Sequence, residues 1–359
     1  PDRPGEPPDR VTEPVASDEA RLRQVFDAAA RQAIFPPVPT GDRLLGLLGG
    51  QPAAGKTRAQ AAILAEHPEL VSITGDDLRA YHPGYRDLAV NDPLAMPAAT
   101  APTSSGLIRL ALDHAIEHGY PVLLEGTFRD PAMVIDTAAR FAEAGYRVEV
   151  VAVATPAPVS RLAAEERFLR ARRGEVGRWT PPEAHETALA GSPEVVAALE
   201  ALPAVARIQV YTRDRRLYDN HRTESGAWEH EPHAAEVLRS EQTRELTPVE
   251  AVAWLADYGA VFGAAHARRG YLSPRTASAY RRLQDDAARM IELAASDPSA
   301  DVRALEEQQT HRRIALKVAV PEPPGIVGRI GQTLRRSLPP YRPAPSRDAP
   351  GNEPPSIGR

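Results

Sequence analysis

The sequence predicts a three-layer α/β protein built on a parallel sheet, with a helical extension at its C-terminal end. Short, nearly all-apolar runs alternate with helix-patterned stretches between residues 44 and 211, as expected of parallel strands buried on both faces. The first of those runs leads through a glycine-rich turn straight into a helix-favouring stretch. After Leu246 the apolar spacing becomes purely helical.

Taken in order, Asp18-Glu19-Ala20 opens a helix with apolar positions at Leu22, Val25, Phe26 and Ala29, stopped before Pro36-Pro37. Leu44–Leu48 is the first strand and Lys56–Glu66 the helix after it. Leu70–Ile73, Pro121–Leu124 and Arg147–Ala154 read as strands, and Arg207–Tyr211 as the last one. Leu107–Glu117, Met133–Ala144 and Val159–Arg172 read as the helices between them. Thr247-Pro248 is a helix start, a capping hydroxyl followed by proline at the first helical position. Val249–Arg268 and Ser273–Ala295 follow as amphipathic helices, with a third, shorter one over Asp297–Arg313. The expected boundaries are a disordered lead over 1–17, the α/β domain over 18–245, the helical extension over 246–315 and a proline-rich disordered tail over 316–359.

Composition narrows the function classes. The 359 residues are 42% hydrophobic and 25% charged, which suits a globular protein with a real core, and the 36 prolines are too many for one compact domain. A net charge of −5 and only 5% aromatic residues argue against a nucleic-acid partner, because rings for base stacking are scarce and the balance is acidic, although a local basic patch could still bind phosphates. No cysteine is present, so disulfides, thiolate metal sites and a cysteine nucleophile are excluded. No apolar run is long enough for a membrane span and the start shows no signal-peptide pattern, so a cytoplasmic location is expected.

Gly50-Gln51-Pro52-Ala53-Ala54-Gly55-Lys56-Thr57 matches the phosphate-loop pattern G-x-x-x-x-G-K-[ST] in full. The glycines let the backbone curl so that successive N–H groups face a phosphate, and the helix that follows adds its positive end. Lys56 is placed to reach the β- and γ-phosphates of ATP, and the Thr57 hydroxyl to ligate Mg²⁺. The expected fold is accordingly that of P-loop kinases.

A phosphate loop identifies a nucleotide, not a reaction. Asp76 follows the second strand, where α/β proteins bind their ligands, and a carboxylate there can take the proton of an attacking hydroxyl. It could equally cap the next helix, and position alone leaves both readings open. Glu125, at the end of the third strand, could hold a Mg²⁺ water or a sugar hydroxyl, and Arg129 an acceptor phosphate; a solvated turn is the alternative. Arg161, Arg167, Arg170, Arg172, Arg173 and Arg178 supply cations that could neutralise a transferring phosphoryl group, and the pattern does not choose among them.

Together these segments resemble the zeta-toxin family, P-loop kinases of bacterial toxin–antitoxin systems. The resemblance rests on Leu48–Thr57, on Asp76 followed by His82-Pro83, and on Gly119–Thr127. Glu166-Arg167 and Arg178-Trp179-Thr180-Pro181-Pro182-Glu183-Ala184-His185 complete the set; the whole runs from about Asp18 to Tyr211. It implies an ATP- and Mg²⁺-dependent kinase that phosphorylates the sugar 3′-hydroxyl of UDP-N-acetylglucosamine, held inactive by a small helical antitoxin. It implies Asp76 as the base, Lys56, Arg167 and Arg178 as the groups that stabilise the phosphoryl, and Glu125, Thr127 and Arg129 as substrate-binding residues. Where the family carries a substrate-contacting glutamate, this chain has Arg109, which leaves the acceptor open. A kinase of an antibiotic or a polynucleotide 5′-hydroxyl is the alternative enzyme. A nucleotide-binding interaction module is the alternative outside catalysis, disfavoured by the joint presence of Asp76, Arg167 and Arg178.

Overall fold

The computed structural model describes residues 18–171 and 177–321. The lead over 1–17, Arg172 and Arg173, and the proline-rich residues from 322 onward lie outside the described residues. The chain opens with α1 (Asp18–Val25), a π-helical turn (Phe26–Ala30) and α2 (Arg31–Ile34), then β1 (Leu44–Gly49) and α3 (Lys56–Glu66). β2 (Val71–Thr74) is followed by α4 (Gly75–Leu78), α5 (Tyr85–Asn91) and α6 (Met96–His118); β3 (Val122–Glu125) by α7 (Pro131–Glu143); and β4 (Arg147–Val153) by α8 (Ala157–Leu169) and α9 (Pro182–Ala201). β5 (Val205–Tyr211), β6 (Arg216–His221) and α10 (Ala234–Thr243) close the α/β part. The extension is α11 (Pro248–Ala267), α12 (Ala277–Ala294) and α13 (Val302–Ala319).

The six strands form one sheet in the order β2-β3-β1-β4-β5-β6. The first five are parallel and β6 pairs antiparallel to β5. β5 is therefore not the last strand: β6, with its alternating polar residues, forms an edge that apolar runs did not reveal. All six residues of β1 are buried, because both of its faces are covered. Leu45 and Leu47 join the core under α6, α7 and α9, whereas Leu44 and Leu48 join the core under α3. Register fixes the functional edge. Thr74 of β2 lies beside Glu125 of β3, which lies beside Leu48 of β1, so three strand ends meet where the phosphate loop begins.

Two helices differ from expectation. α6 starts at Met96 rather than near Leu107, since Pro97 is tolerated in the first turn and Pro102 is accommodated inside the helix. α9 was not expected. Gly191 and Pro193 interrupt its sequence, yet it is a continuous helix of 20 residues with His185, Ser192, Val195, Val196 and Leu199 buried. Conversely, the helix expected over Val159–Arg172 ends at Leu169.

The extension is packed onto the α/β part rather than set apart from it. Leu162 and Phe168 of α8 share a core with Leu255, Tyr258, Phe262, Tyr280 and Leu283 of α11 and α12. The Trp254 indole donates to the Pro158 carbonyl at 3.0 Å, and the Tyr271 hydroxyl donates to Glu165 at 2.7 Å. The third helix is a full 18 residues and continues to Ala319, past the expected limit of the extension at 315. No helix among the described residues is long and apolar enough to cross a membrane.

Trp254→Ala removes a buried ring and its hydrogen bond to α8, so it should lower unfolding free energy by about 3–5 kcal/mol. Urea denaturation checks this, and a loss under about 1 kcal/mol would show that α11 is only loosely docked.

Candidate active site

The phosphate loop adopts the conformation its glycines were expected to permit. Gly50 and Gly55 have φ of 144° and 102°, and Ala53 joins them at 60°. A Cβ on Gly50 would lie 2.4 Å from the Val153 carbonyl oxygen, so only glycine fits against β4. The loop is braced from behind. Gln51, fully buried, donates to the Thr155 carbonyl at 2.7 Å and accepts from Gln242 of α10 at 3.0 Å; Thr155 donates to the Ala54 carbonyl at 2.8 Å. Behind Gly49, the Phe128 ring fills the space that a side chain would take, and Phe128 itself sits at φ 49°.

Lys56, the first residue of α3, turns back over this loop and donates to the Gly50 and Gln51 carbonyls at 2.9 and 3.2 Å. Burial pushes its ammonium down to about 8; Arg167 adds to the fall, while Glu125 and Asp76 oppose it. Glu125 is shifted upward by burial, with Lys56 pulling the other way. Arg167 is likewise lowered by burial, against the attraction of Asp76. Five of the expected residues, Lys56, Asp76, Glu125, Arg167 and Arg178, therefore face one another. Pro52, Ala53 and Ala54 complete the loop, and Thr57 lies exposed on the first turn of α3, open to a ligand.

Asp76 does not cap its helix. Thr74 is the cap, accepting from the Asp76 amide at 3.3 Å, which leaves the Asp76 side chain available. Arg178 donates to one of its oxygens at 3.2 Å and Arg79 to the other at 3.2 Å. Arg79 also donates to the Pro97 carbonyl and to Thr100, both at 2.7 Å, and so ties Asp76 to the start of α6. Ser104 adds a 2.6 Å bond to the Gly75 carbonyl. The sequence signal for Arg79 was its place three residues after Asp76 on a helix.

The remaining arginines separate by partner. Arg161 is bound by Glu186 at 2.8 Å and Asp286 at 2.9 Å, so it joins α8 to α9 and α12 and is not a phosphate ligand. Arg170 pairs with Glu166 at 2.8 Å on the surface. Arg109 pairs with Glu19 of α1 at 3.2 Å, half exposed. Thr127 is half-buried and Arg129 exposed on the loop after β3; among the described residues neither bonds to the Lys56–Asp76 group, and the Arg129 backbone packs instead against Gly191. Like Arg79, one further cation was not foreseen. Arg213, in the β5–β6 turn, donates to the Ala53 carbonyl at 2.9 Å and lies against Gly55, with its Nε buried and without a hydrogen-bond partner. Only the fold brings it to the loop.

A triphosphate on this loop surrounds Lys56 with negative charge and raises its proton affinity again. Above about pH 8, where part of the free chain has lost that proton, nucleotide binding should therefore take one up. Calorimetry of ATP binding in buffers of different ionisation enthalpy measures it, and Lys56→Met should abolish the buffer dependence. Equal heats in every buffer would mean that Lys56 is fully charged before binding.

Comparisons with known proteins bear on the family and the fold. The family model Zeta toxin matches residues 28–223. Toxin PezT of Streptococcus pneumoniae is 30% identical over 208 residues, covering 57% of this chain and 79% of that toxin. Toxin zeta of Enterococcus hirae is 28% identical over 183 residues, 50% of this chain; the chain spans 64% of that relative's length. The solved PezAT chromosomal toxin–antitoxin system of S. pneumoniae has a chain of the same fold, with a TM-score of 0.56 at 24% identity over 67% of this chain and 96% of that one. The family match ends at residue 223, before α10 and the extension.

Proposed function

The chain belongs to the Zeta toxin family, and from that premise we propose that it is an ATP-dependent kinase that phosphorylates a hydroxyl of a sugar nucleotide, acting as the toxin of a toxin–antitoxin pair. UDP-N-acetylglucosamine, at its 3′-hydroxyl, is the acceptor the family resemblance favours. The observation that carries the reading is the position of Asp76, a half-exposed carboxylate beside Arg178 and within charge range of Lys56 and Arg167.

The chemistry follows from that arrangement. Asp76 takes the proton of the acceptor hydroxyl, whose oxygen bonds to the γ-phosphorus while the bond from that phosphorus to the β,γ-bridging oxygen breaks and ADP departs. Arg178 and Arg79 hold the carboxylate oriented. Lys56, released from the Gly50 and Gln51 carbonyls, follows the β- and γ-oxygens, and Arg167 offsets charge on the equatorial oxygens. Mg²⁺ suits the hard oxygen donors at this edge, with the accessible Thr57 hydroxyl and the Glu125 carboxylate to hold it or its waters, and would neutralise the triphosphate.

Arg109 bears on the acceptor. It stands where the resemblance places a glutamate, and its pairing with Glu19 commits it to the α1–α6 contact, so recognition of the sugar falls to other groups. A separate antitoxin is proposed by likeness to PezT. The N-terminal helical segment fits this reading, because Phe26 and Ala30 are buried in the α/β core.

Incubation with ATP and a panel of acceptors, read by mass spectrometry, tests the proposal; one added phosphoryl group on UDP-N-acetylglucosamine is expected. Asp76→Asn should cut transfer by roughly 10²–10⁴-fold with ATP affinity nearly unchanged. Transfer at the wild-type rate in that variant would remove Asp76 as the base, and no phosphorylated acceptor would remove the kinase reading.

A further inference from the structure

His114, Glu117 and His118 occupy the last two turns of α6 at i, i+3 and i+4, a spacing that puts side chains on one face of a helix. One ligating atom from each lies within 4.8 Å of the others. Zinc bonds of about 2.0–2.1 Å need ligand atoms roughly 3.3 Å apart, a difference small rotamer changes cover. We propose that His114, Glu117 and His118 form a binding site for a divalent transition ion of the zinc type, remote from the phosphate loop and independent of the kinase reading.

The donor set suits that ion. Two imidazoles with one carboxylate match zinc's preference, whereas magnesium and calcium take oxygen ligands. Surrounding groups already orient the rings. His114 is flanked by Phe35 at 4.8 Å, Phe26 at 5.9 Å and Tyr120 at 5.7 Å between ring centres. His118 places Nδ1 3.0 Å from the His114 carbonyl oxygen, the outer contact that metal-bound imidazoles commonly make. Glu117 and His118 are exposed, so an ion and a water in a fourth position have access.

The surroundings extend to the N-terminal segment. Asp27 and Arg31 are both close enough to His114 to act on its charge. Asp27 lies on the π-helical turn Phe26–Ala30, a distortion often found at functional sites. At about 1.5 Å per residue, His114 is roughly 20 Å along α6 from Thr100, which holds Arg79, so the ion would stabilise the fold without entering the reaction.

Equilibrium dialysis of the chelator-treated full chain against Zn²⁺, in excess Mg²⁺, tests the site. One zinc per chain is expected, with a rise in thermal midpoint. His118→Ala and Glu117→Gln, both at exposed positions, should each weaken binding by about tenfold or more, at least the effect of losing an outer contact. His230→Ala serves as the control. His230 and His221 flank Glu229 at 3.7 and 3.2 Å, a second histidine–glutamate group, and its loss should leave zinc binding unchanged. Failure of the wild type to bind zinc, undiminished binding in His118→Ala and Glu117→Gln, or loss of binding in His230→Ala would each overturn the proposal.

Discussion

The charge of Lys56 has to be kept inside the protein next to a loop that must stay open to phosphates. An ammonium left without partners at that depth would lose its proton or its place. The loop meets this by offering its own carbonyls, Gly50 and Gln51, to the amine. Those carbonyls can face the lysine because the backbone passes through positive φ at Gly50, Ala53 and Gly55. The curl in turn stands because Gln51, Thr155 and Gln242 hold it from below, with Ser192 accepting the second bond of Gln242 at 2.9 Å. A feature read as eight residues of sequence is thus secured by α9 and α10, far along the chain.

The same charge organises the opposite wall. Glu125 and Asp76 repel one another and are brought together by the register of β2 on β3, and Lys56, Arg167 and Arg178 make that proximity sustainable. The end of β3 and the start of α4 contribute the acids, and the helices and loops contribute the cations. Arg79 belongs to neither set: it holds Asp76 from below and binds to α6, so the start of α6 is part of the site although it bears none of the expected catalytic groups.

What the sequence made legible were the features that local physics fixes. The phosphate loop needs glycine at two set positions and lysine beside the second, and the acids follow buried strands whose ends apolar runs mark well. α9 was not legible, since Gly191, Pro193 and apolar residues on more than one face leave no clean helical stripe. Nor were the roles of the arginines. Arg161 and Arg167 share one helix and one residue type, and only Glu186 and Asp286, from α9 and α12, make the first structural. Arg213 carried no signal because a hairpin, not a sequence interval, places it on the loop. Glu125 was read as a site residue together with Thr127 and Arg129, yet the left-handed backbone at Phe128, between the last two, sends the chain off toward α9.

The extension has a physical reason to be where it is. α8 must hold Arg167 against Lys56 and Asp76, yet it is only 13 residues long, from Ala157 to Leu169, too short to keep its position by helix formation alone. Residues 161 and 165 are one turn apart and share a face, whereas residue 167 lies two steps, about 200°, beyond 165. On the first face Arg161 is gripped by Glu186 and Asp286, and Glu165 by the Tyr271 hydroxyl; burial shifts Glu165 upward against that bond. Leu162 and Phe168 add apolar contact with α11 and α12. The extension therefore anchors one side of a short helix whose other side turns Arg167 toward Asp76 and Glu125, and the part of the chain beyond the family match supports the part within it.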